Sequence, residues 1–338
     1  MRLVKNLCRI IVGIVFIYSG FVKGIDPLGS DYKFTDYFNA FGMGWMNATT
    51  LFFSFALSLV EFLIGIALLF NLWVSRMAWG SLLFMAFFTP LTLVLALTNP
   101  VSDCGCFGDA MILTNWQTFW KNIILLLLAI MIFMYRKEYK SSLPLVGQFS
   151  FLALAGAGML CLSVYCYRHL PVLDFRPYAV GKNITEGMRL PEGAEPDQYE
   201  VTLKYKNKQT GEVQSFTEEN YPWQDTLNWE YESSSERLVK KGYITPIHDL
   251  VIEHPTLGNI TEEILEDDNH TILAVAYNLT QSDVQYQPAI NRLAEYAQEK
   301  GIRFYGLTSS SERDIETYKK RYHVPYEFCT ADEIQLKT

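Results

Sequence analysis

Charge is scarce in this sequence. Only 19% of its 338 residues are Asp, Glu, Lys or Arg, against roughly 25% in an ordinary soluble domain, while half are hydrophobic. That balance excludes a chain wholly dissolved in water. Basic residues are in deficit too: the net charge is −8, and without a basic stripe nucleic acid is not expected as a partner. Six cysteines are present, but there is no Cys-x-x-Cys and no second Cys or His pair at zinc spacing. A metal site would have to recruit Asp109 and His169 to Cys104 and Cys106, and none is expected.

The scarcity is uneven. Up to Tyr167 there are 10 basic and 7 acidic residues, and beyond it 18 and 29, so the two parts carry +3 and −11. This split reads as a membrane module followed by an acidic soluble part of 171 residues, long enough to bury a core of its own.

Five stretches approach the roughly 20 apolar residues that a helix needs to cross a bilayer: Leu3–Val22, Thr50–Phe70, Met77–Leu97, Trp116–Tyr135 and Leu145–Tyr167. Lys5 and Arg9 lie at the start of the first and can snorkel to the interface. Arg9 inside that stretch, with no small-x-small site after it, argues against a cleaved signal peptide. Pro90 should kink the third span, and Ala155-Gly156-Ala157-Gly158 suits the fifth to close helix packing. Arg2, Lys5, Arg9, Arg76, Arg136, Lys137 and Lys140 collect on one side of the membrane, against Lys23, Lys33 and Lys121 on the other. Basic loops stay inside, so the N-terminus is expected in the cytoplasm. The loops 24–49 and 98–115 and the acidic tail then face outwards, where disulfides persist.

The densest chemical cluster is Ser102-Asp103-Cys104-Gly105-Cys106-Phe107-Gly108-Asp109, between the third and fourth spans. Thiols separated by one glycine reach each other only through a tight ring, and a strained exposed disulfide exchanges readily. Gly105 supplies backbone freedom. Lys121 can lower a thiol pKa if it folds back, whereas Asp103 and Asp109 push the other way. Two readings stand side by side: a redox-active pair, and a permanent disulfide that pins the turn. Glu61, alone in mid-span, is a candidate for proton transfer or a cofactor contact, or else a neutral acid hydrogen-bonded between helices. Cys161 and Cys166 are five residues apart, about 140° around a helix, and cannot bond to each other. Either could exchange with Cys104 or Cys106 at the same membrane level, but they, like Cys8, read first as apolar packing.

The run Asp103-Cys104-Gly105-Cys106-Phe107-Gly108, with Trp120-Lys121-Asn122 in the next span, resembles the methylamine-utilisation MauE branch of the DoxX-like membrane proteins. Tyr18-Ser19-Gly20-Phe21-Val22-Lys23, Asp26-Pro27, and Glu61 with Gly65 resemble the DoxX pattern itself. The resemblance covers roughly residues 1–140. It implies a four-helix bundle in the bacterial inner membrane, with Cys104 and Cys106 as the redox candidates. MauE is associated with disulfide formation in a periplasmic partner enzyme, and some DoxX relatives with quinone-linked sulfur oxidation, so a quinone enters as a candidate cofactor.

In the tail, Val201, Leu203 and Tyr205, the turn 206–211, then Val213 and Phe216 predict a hairpin, with Trp223-Gln224-Asp225 and Trp229 completing a small β-rich insert. From Gly242 the pattern alternates: strand 271–277, helix 283–300, strand 302–307, capped helix 310–321. Together with Pro246-Ile247-His248-Asp249-Leu250-Val251-Ile252, this order resembles the thioredoxin-like fold of TlpA and peroxiredoxin relatives. The position of their reactive Cys-x-x-Cys is held here by Asn278-Leu279-Thr280-Gln281-Ser282-Asp283. Cys329 reads as packing, and His323 and His248 as isolated. Lys337-Thr338 come before the proline-led strand and hairpin that would close such a sheet, so either a shortened fold or an incomplete C-terminus is expected, and an open edge would otherwise invite pairing with a partner.

The expected architecture is therefore an all-α transmembrane bundle of five spans followed by an α/β thioredoxin-like domain with a β-rich insert. Its parts are a bundle over 1–140, a fifth helix and exit over 141–171, the insert over 172–241 and a thioredoxin-like domain over 242–338. The expected function is redox exchange through Cys104 and Cys106, with Lys121 and Glu61 as auxiliary residues and a periplasmic protein or quinone as partner. A membrane scaffold with a structural disulfide is the rival.

Overall fold

The computed structural model describes residues 2–101, 104–191, 193–195, 198–217, 220–222, 225, 227–240, 242–243, 245, 247 and 250–337. Asp103, Trp223, Gln224, Pro246, His248 and Asp249 of the reading above lie outside the described residues. The chain divides into two units, one reaching Val180 and the other spanning Gly181–Leu336.

The first unit is helical: α1 (Arg2–Ile25), α2 (Pro27–Ala40), α3 (Thr50–Leu69), α4 (Val74–Thr98), α5 (Asn115–Met134) and α6 (Leu145–Arg168). Among the described residues, five helices are long and apolar enough to cross a membrane, within a few residues of the expected spans; α2 is not among them. The core is shared by four of the five. Val12 and Phe16 of α1, Ile64 and Leu68 of α3, Ala78 and Met85 of α4, and Leu125 and Ala129 of α5 form one buried cluster. The fifth, α6, packs on α3 through Leu152, beside Leu63 and Ala67.

The closest approach is between α1 and α3. A Cβ at Gly20 would lie 2.6 Å from the Phe62 amide nitrogen, and one at Gly65 would lie 2.5 Å from that of Ile17. Glycine at these crossings lets the backbones touch, which is how helices gain packing energy where lipid removes the hydrophobic drive. The Ala155–Gly158 patch does less than expected. Gly156 meets Leu63, but a Cβ at Gly158 would touch nothing, because those two positions turn to different sides of α6.

Two further expectations change. The segment 24–49, read as a loop, contains α2 and a 3₁₀ turn over Gly44–Thr49. The α2 helix starts where the Asp26 side chain accepts from Gly29 N and Pro27 occupies the first turn, both favourable helix-start features. Arg9 does not snorkel: it is buried and its guanidinium donates to the Leu68 and Leu69 carbonyls at the end of α3, groups that a helix C-terminus leaves without partners. Helix α4 runs through Pro90.

The second unit holds α7 (Ile184–Met188), β1 (Gln198–Asn207), β2 (Val213–Thr217), β3 (Trp229–Lys240), β4 (Glu253–His254), β5 (Gly258–Asn259), α8 (Thr261–Leu265), β6 (Thr271–Val275), α9 (Gln287–Glu299), β7 (Arg303–Thr308), α10 (Glu312–Tyr322), β8 (Glu327–Thr330) and α11 (Glu333–Lys337). The expected hairpin pairs β1 with β2, and β3 adds a third antiparallel strand in the order β2-β1-β3. The other sheet has the order β5-β4-β8-β7-β6. Its β6, β7 and β8 are parallel, as strands joined by the crossover helices α9 and α10 must be, and β4 is antiparallel to β8. Leu279, Ala294, Tyr318, Tyr326 and Phe328 form the core under those helices.

Candidate functional site

The cysteine loop joins α4 to α5 and is fastened at both ends. Asn99 ends α4 in the left-handed region, and Asn115 donates to the Asn99 side chain and the Val101 carbonyl. Thr114 and Gln117 close a capping box at the start of α5. Between these points Gly105 adopts φ +61°, a conformation that costs glycine little, and Gly108 N closes the turn onto Gly105 O. Phe107 is the loop's anchor: it is buried, edge-on to Tyr18, with the Lys121 ammonium 4.3 Å above its ring centroid.

These restraints set the two free thiols side by side, with Cys104 Sγ 2.9 Å from Cys106 Sγ. The backbone of each is held by a hydroxyl from another helix. Tyr37 of α2 donates to the Cys104 carbonyl at 2.7 Å and Ser19 of α1 donates to the Cys106 carbonyl at 2.8 Å. Both thiols line a cavity of about 80 Å³ inside the bundle, together with Lys23, Glu61 and Lys121. Lys23 Nζ donates to Glu61 Oε2 at 2.5 Å and to Ser19 Oγ at 2.8 Å, and both members of the ion pair are buried.

The sulfurs differ in acidity. Cys106 is pushed down to about 6 by the hydrogen bond from Cys104 and the positive charges of Lys121 and Lys23, against the opposing effects of burial and Glu61. Cys104 is pushed up, first by that same hydrogen bond and then by burial. One proton shared between two sulfurs accounts for both directions: Cys104 keeps it and donates to the Cys106 thiolate.

The structure therefore brings together all four expected site residues, Cys104, Cys106, Lys121 and Glu61. Lys23 and Ser19, quoted above as part of the DoxX pattern, join them, as does Tyr37, which the sequence does not single out. The i, i+4 spacing of Ser19 and Lys23 puts them on one helix face, and a mid-bilayer Glu61 calls for a counter-charge; those were the available signals. Asp109 lies apart from the thiol cavity. It lines a neighbouring one with Asp26, Asp174 and Arg176, where Arg176 grips Asp174 through two hydrogen bonds. Of the remaining thiols in this unit, Cys8 contacts Met131 Sδ, Cys166 is buried and Cys161 is exposed. His169 stacks on Tyr165.

In the second unit Cys329 is fully buried, and burial pushes it up to about 11. At the 278–283 segment, Leu279 is buried and the Asp283 side chain caps the turn before α9. His323 ends α10 in the left-handed conformation.

Residues 1–135 match the family Methylamine utilisation protein MauE, and residues 199–241 match a domain of unknown function, DUF8463. No curated protein and no solved structure gives a match. The chain is a multi-pass membrane protein whose residues 1–135 are MauE-like, and the DUF8463 segment coincides with the three-stranded sheet.

Proposed function

We propose that Cys104 and Cys106 are the redox dithiol of a bacterial inner-membrane protein that exchanges disulfides with a protein partner on the periplasmic side. The observation that carries this reading is the contact of two free thiols at 2.9 Å above a cavity holding Lys23, Glu61 and Lys121. A disulfide serving only to pin a turn needs no such cations.

In the exchange, the Cys106 thiolate attacks one sulfur of the partner's disulfide and the partner's other sulfur leaves as a thiolate. Cys104 then loses its proton to that thiolate and attacks Cys106 Sγ, releasing the partner's second sulfur. The loop pair is oxidised and the partner's pair reduced, with no other oxidant. The reverse sequence oxidises a partner dithiol, and the relative potentials decide the direction.

Both thiols are only partly buried, so a protein sulfur can reach the loop. The second unit has the alternating strand–helix order of the thioredoxin-like fold without its thiol pair, and we read it as a docking module. Trapping tests the whole reading: Cys104→Ser removes the resolving thiol, so a partner should accumulate in cells disulfide-bonded to Cys106 and dissolve on reduction. Absence of any reducible adduct would contradict it.

The seven basic residues on one side support a cytoplasmic N-terminus, with the cysteine loop outside. Cys8 is too buried to report on this. Lys137 is exposed, so in spheroplasts an impermeant maleimide should label reduced Cys104 and Cys106 but label Lys137→Cys only after permeabilisation. Labelling of Lys137→Cys in intact spheroplasts would invert the orientation.

A further inference from the structure

A buried ion pair is a poor way to stabilise a bundle, because well-packed apolar residues of similar size do as well or better. Inside a membrane helix pair the cost of placing charge is higher still. The Lys23–Glu61 pair is nevertheless kept beside the thiols, and its geometry has a direction. Glu61 holds the ammonium from α3, and the same ammonium donates to Ser19 Oγ, whose hydroxyl donates to the carbonyl of Cys106. Cys104 is tethered elsewhere, through Tyr37 of α2. The chain of hydrogen bonds thus connects the buried cation to one cysteine of the two.

We propose that Lys23, fixed by Glu61 and coupled through Ser19 to the Cys106 backbone, is the positioning residue that selects Cys106 as the attacking sulfur of the pair. The inference deepens the dithiol reading and rests on it. The ionisable groups facing Cys106 from the surrounding elements are Lys23 of α1, Lys33 and Tyr37 of α2, Glu61 of α3, Lys121 of α5, and Cys104 on the loop itself. Lys121 is engaged with the Phe107 ring, and Lys33 passes against Gly105. Lys23 is held by the Glu61 carboxylate and linked by Ser19 to Cys106. In the reduced state Lys121 and Lys23 favour the Cys106 thiolate. Oxidation removes the thiolate that these charges favour, so this arrangement favours the form in which Cys106 is a thiolate.

The test reads which sulfur reacts, and at what pH. Reduced full-length protein in detergent is pulsed with iodoacetamide across a pH series, and Cys104 and Cys106 modification is quantified by peptide mass spectrometry. Wild type should be modified first at Cys106, with a midpoint near 6. Lys23→Met should raise the Cys106 midpoint by about one unit, which slows modification about tenfold below it, and should reduce the preference over Cys104. Lys23→Arg should restore both. Because Lys23→Met strands Glu61, the double variant Lys23→Met with Glu61→Gln provides a folded comparison, and the preference for Cys106 should fall there too. An unchanged midpoint and preference in either folded variant would overturn the role of Lys23 while leaving the dithiol reading intact. A pair that cannot be reduced in wild type would instead defeat the dithiol reading.

Discussion

Cys106→Ser should slow thiol–disulfide exchange by about tenfold or more, since the attacking thiolate is lost and burial holds back ionisation of the thiol that remains, Cys104. The assay needs no partner: reduced full-length protein reacts with an aromatic disulfide such as DTNB, whose leaving thiol is coloured. Cys161 is exposed, so it is first changed to serine to remove background. In that setting the intact pair should release two coloured thiols per chain, because Cys104 resolves the first adduct. Cys104→Ser should react at Cys106 and stop after one. Cys106→Ser should react more slowly, because burial still opposes ionisation of Cys104 once its hydrogen bond to Cys106 is gone. The remaining cysteines, Cys8, Cys166 and Cys329, are buried and should contribute little. Equal rates for Cys104→Ser and Cys106→Ser would contradict the assignment of attacking and resolving sulfurs.

Glu61→Ala should destabilise the bundle by about 3–5 kcal/mol, the usual cost of stranding one member of a buried ion pair. Both side chains are largely buried, that of Lys23 9% exposed and that of Glu61 5%. Removing the carboxylate leaves an ammonium whose other acceptor is a single serine hydroxyl. Replacing both residues, as Lys23→Met with Glu61→Leu, should recover most of the loss, because the charges then vanish together. Thermal unfolding in detergent, followed by loss of monodisperse protein, would read the difference. Equal stability of Glu61→Ala and wild type would mean that the pair is solvated in the membrane protein.

Much of this was legible because the signals were periodic or dense. Runs of apolar residues fixed the number of long helices, and the alternation after Gly242 carried the parallel strands β6, β7 and β8. The adjacency of Cys104 and Cys106 drew attention without any fold. What escaped notice were contacts between distant segments. Lys23 reads in sequence as one of a few basic residues flanking a helix, and only the crossing of α1 with α3 at Gly20 and Gly65 carries it to Glu61. Arg9 escaped for a related reason: snorkelling is the default for an arginine near a helix end, but the open carbonyls of α3 were closer than water. The helix α2 is polar and only 14 residues long, so hydropathy passed over it, although Asp26-Pro27 at its start is a recognisable cap. Tyr37, on that helix, was lost with it.

The most direct test of the account is the reduction potential of the Cys104–Cys106 couple in the full-length protein. Equilibration in graded thiol–disulfide buffers, followed by acid quenching, alkylation and mass spectrometry of the loop peptide, measures it. The account predicts a midpoint within roughly −270 to −120 mV, the range of exchanging dithiols, whereas a value below about −300 mV would mark a permanent structural disulfide and contradict it.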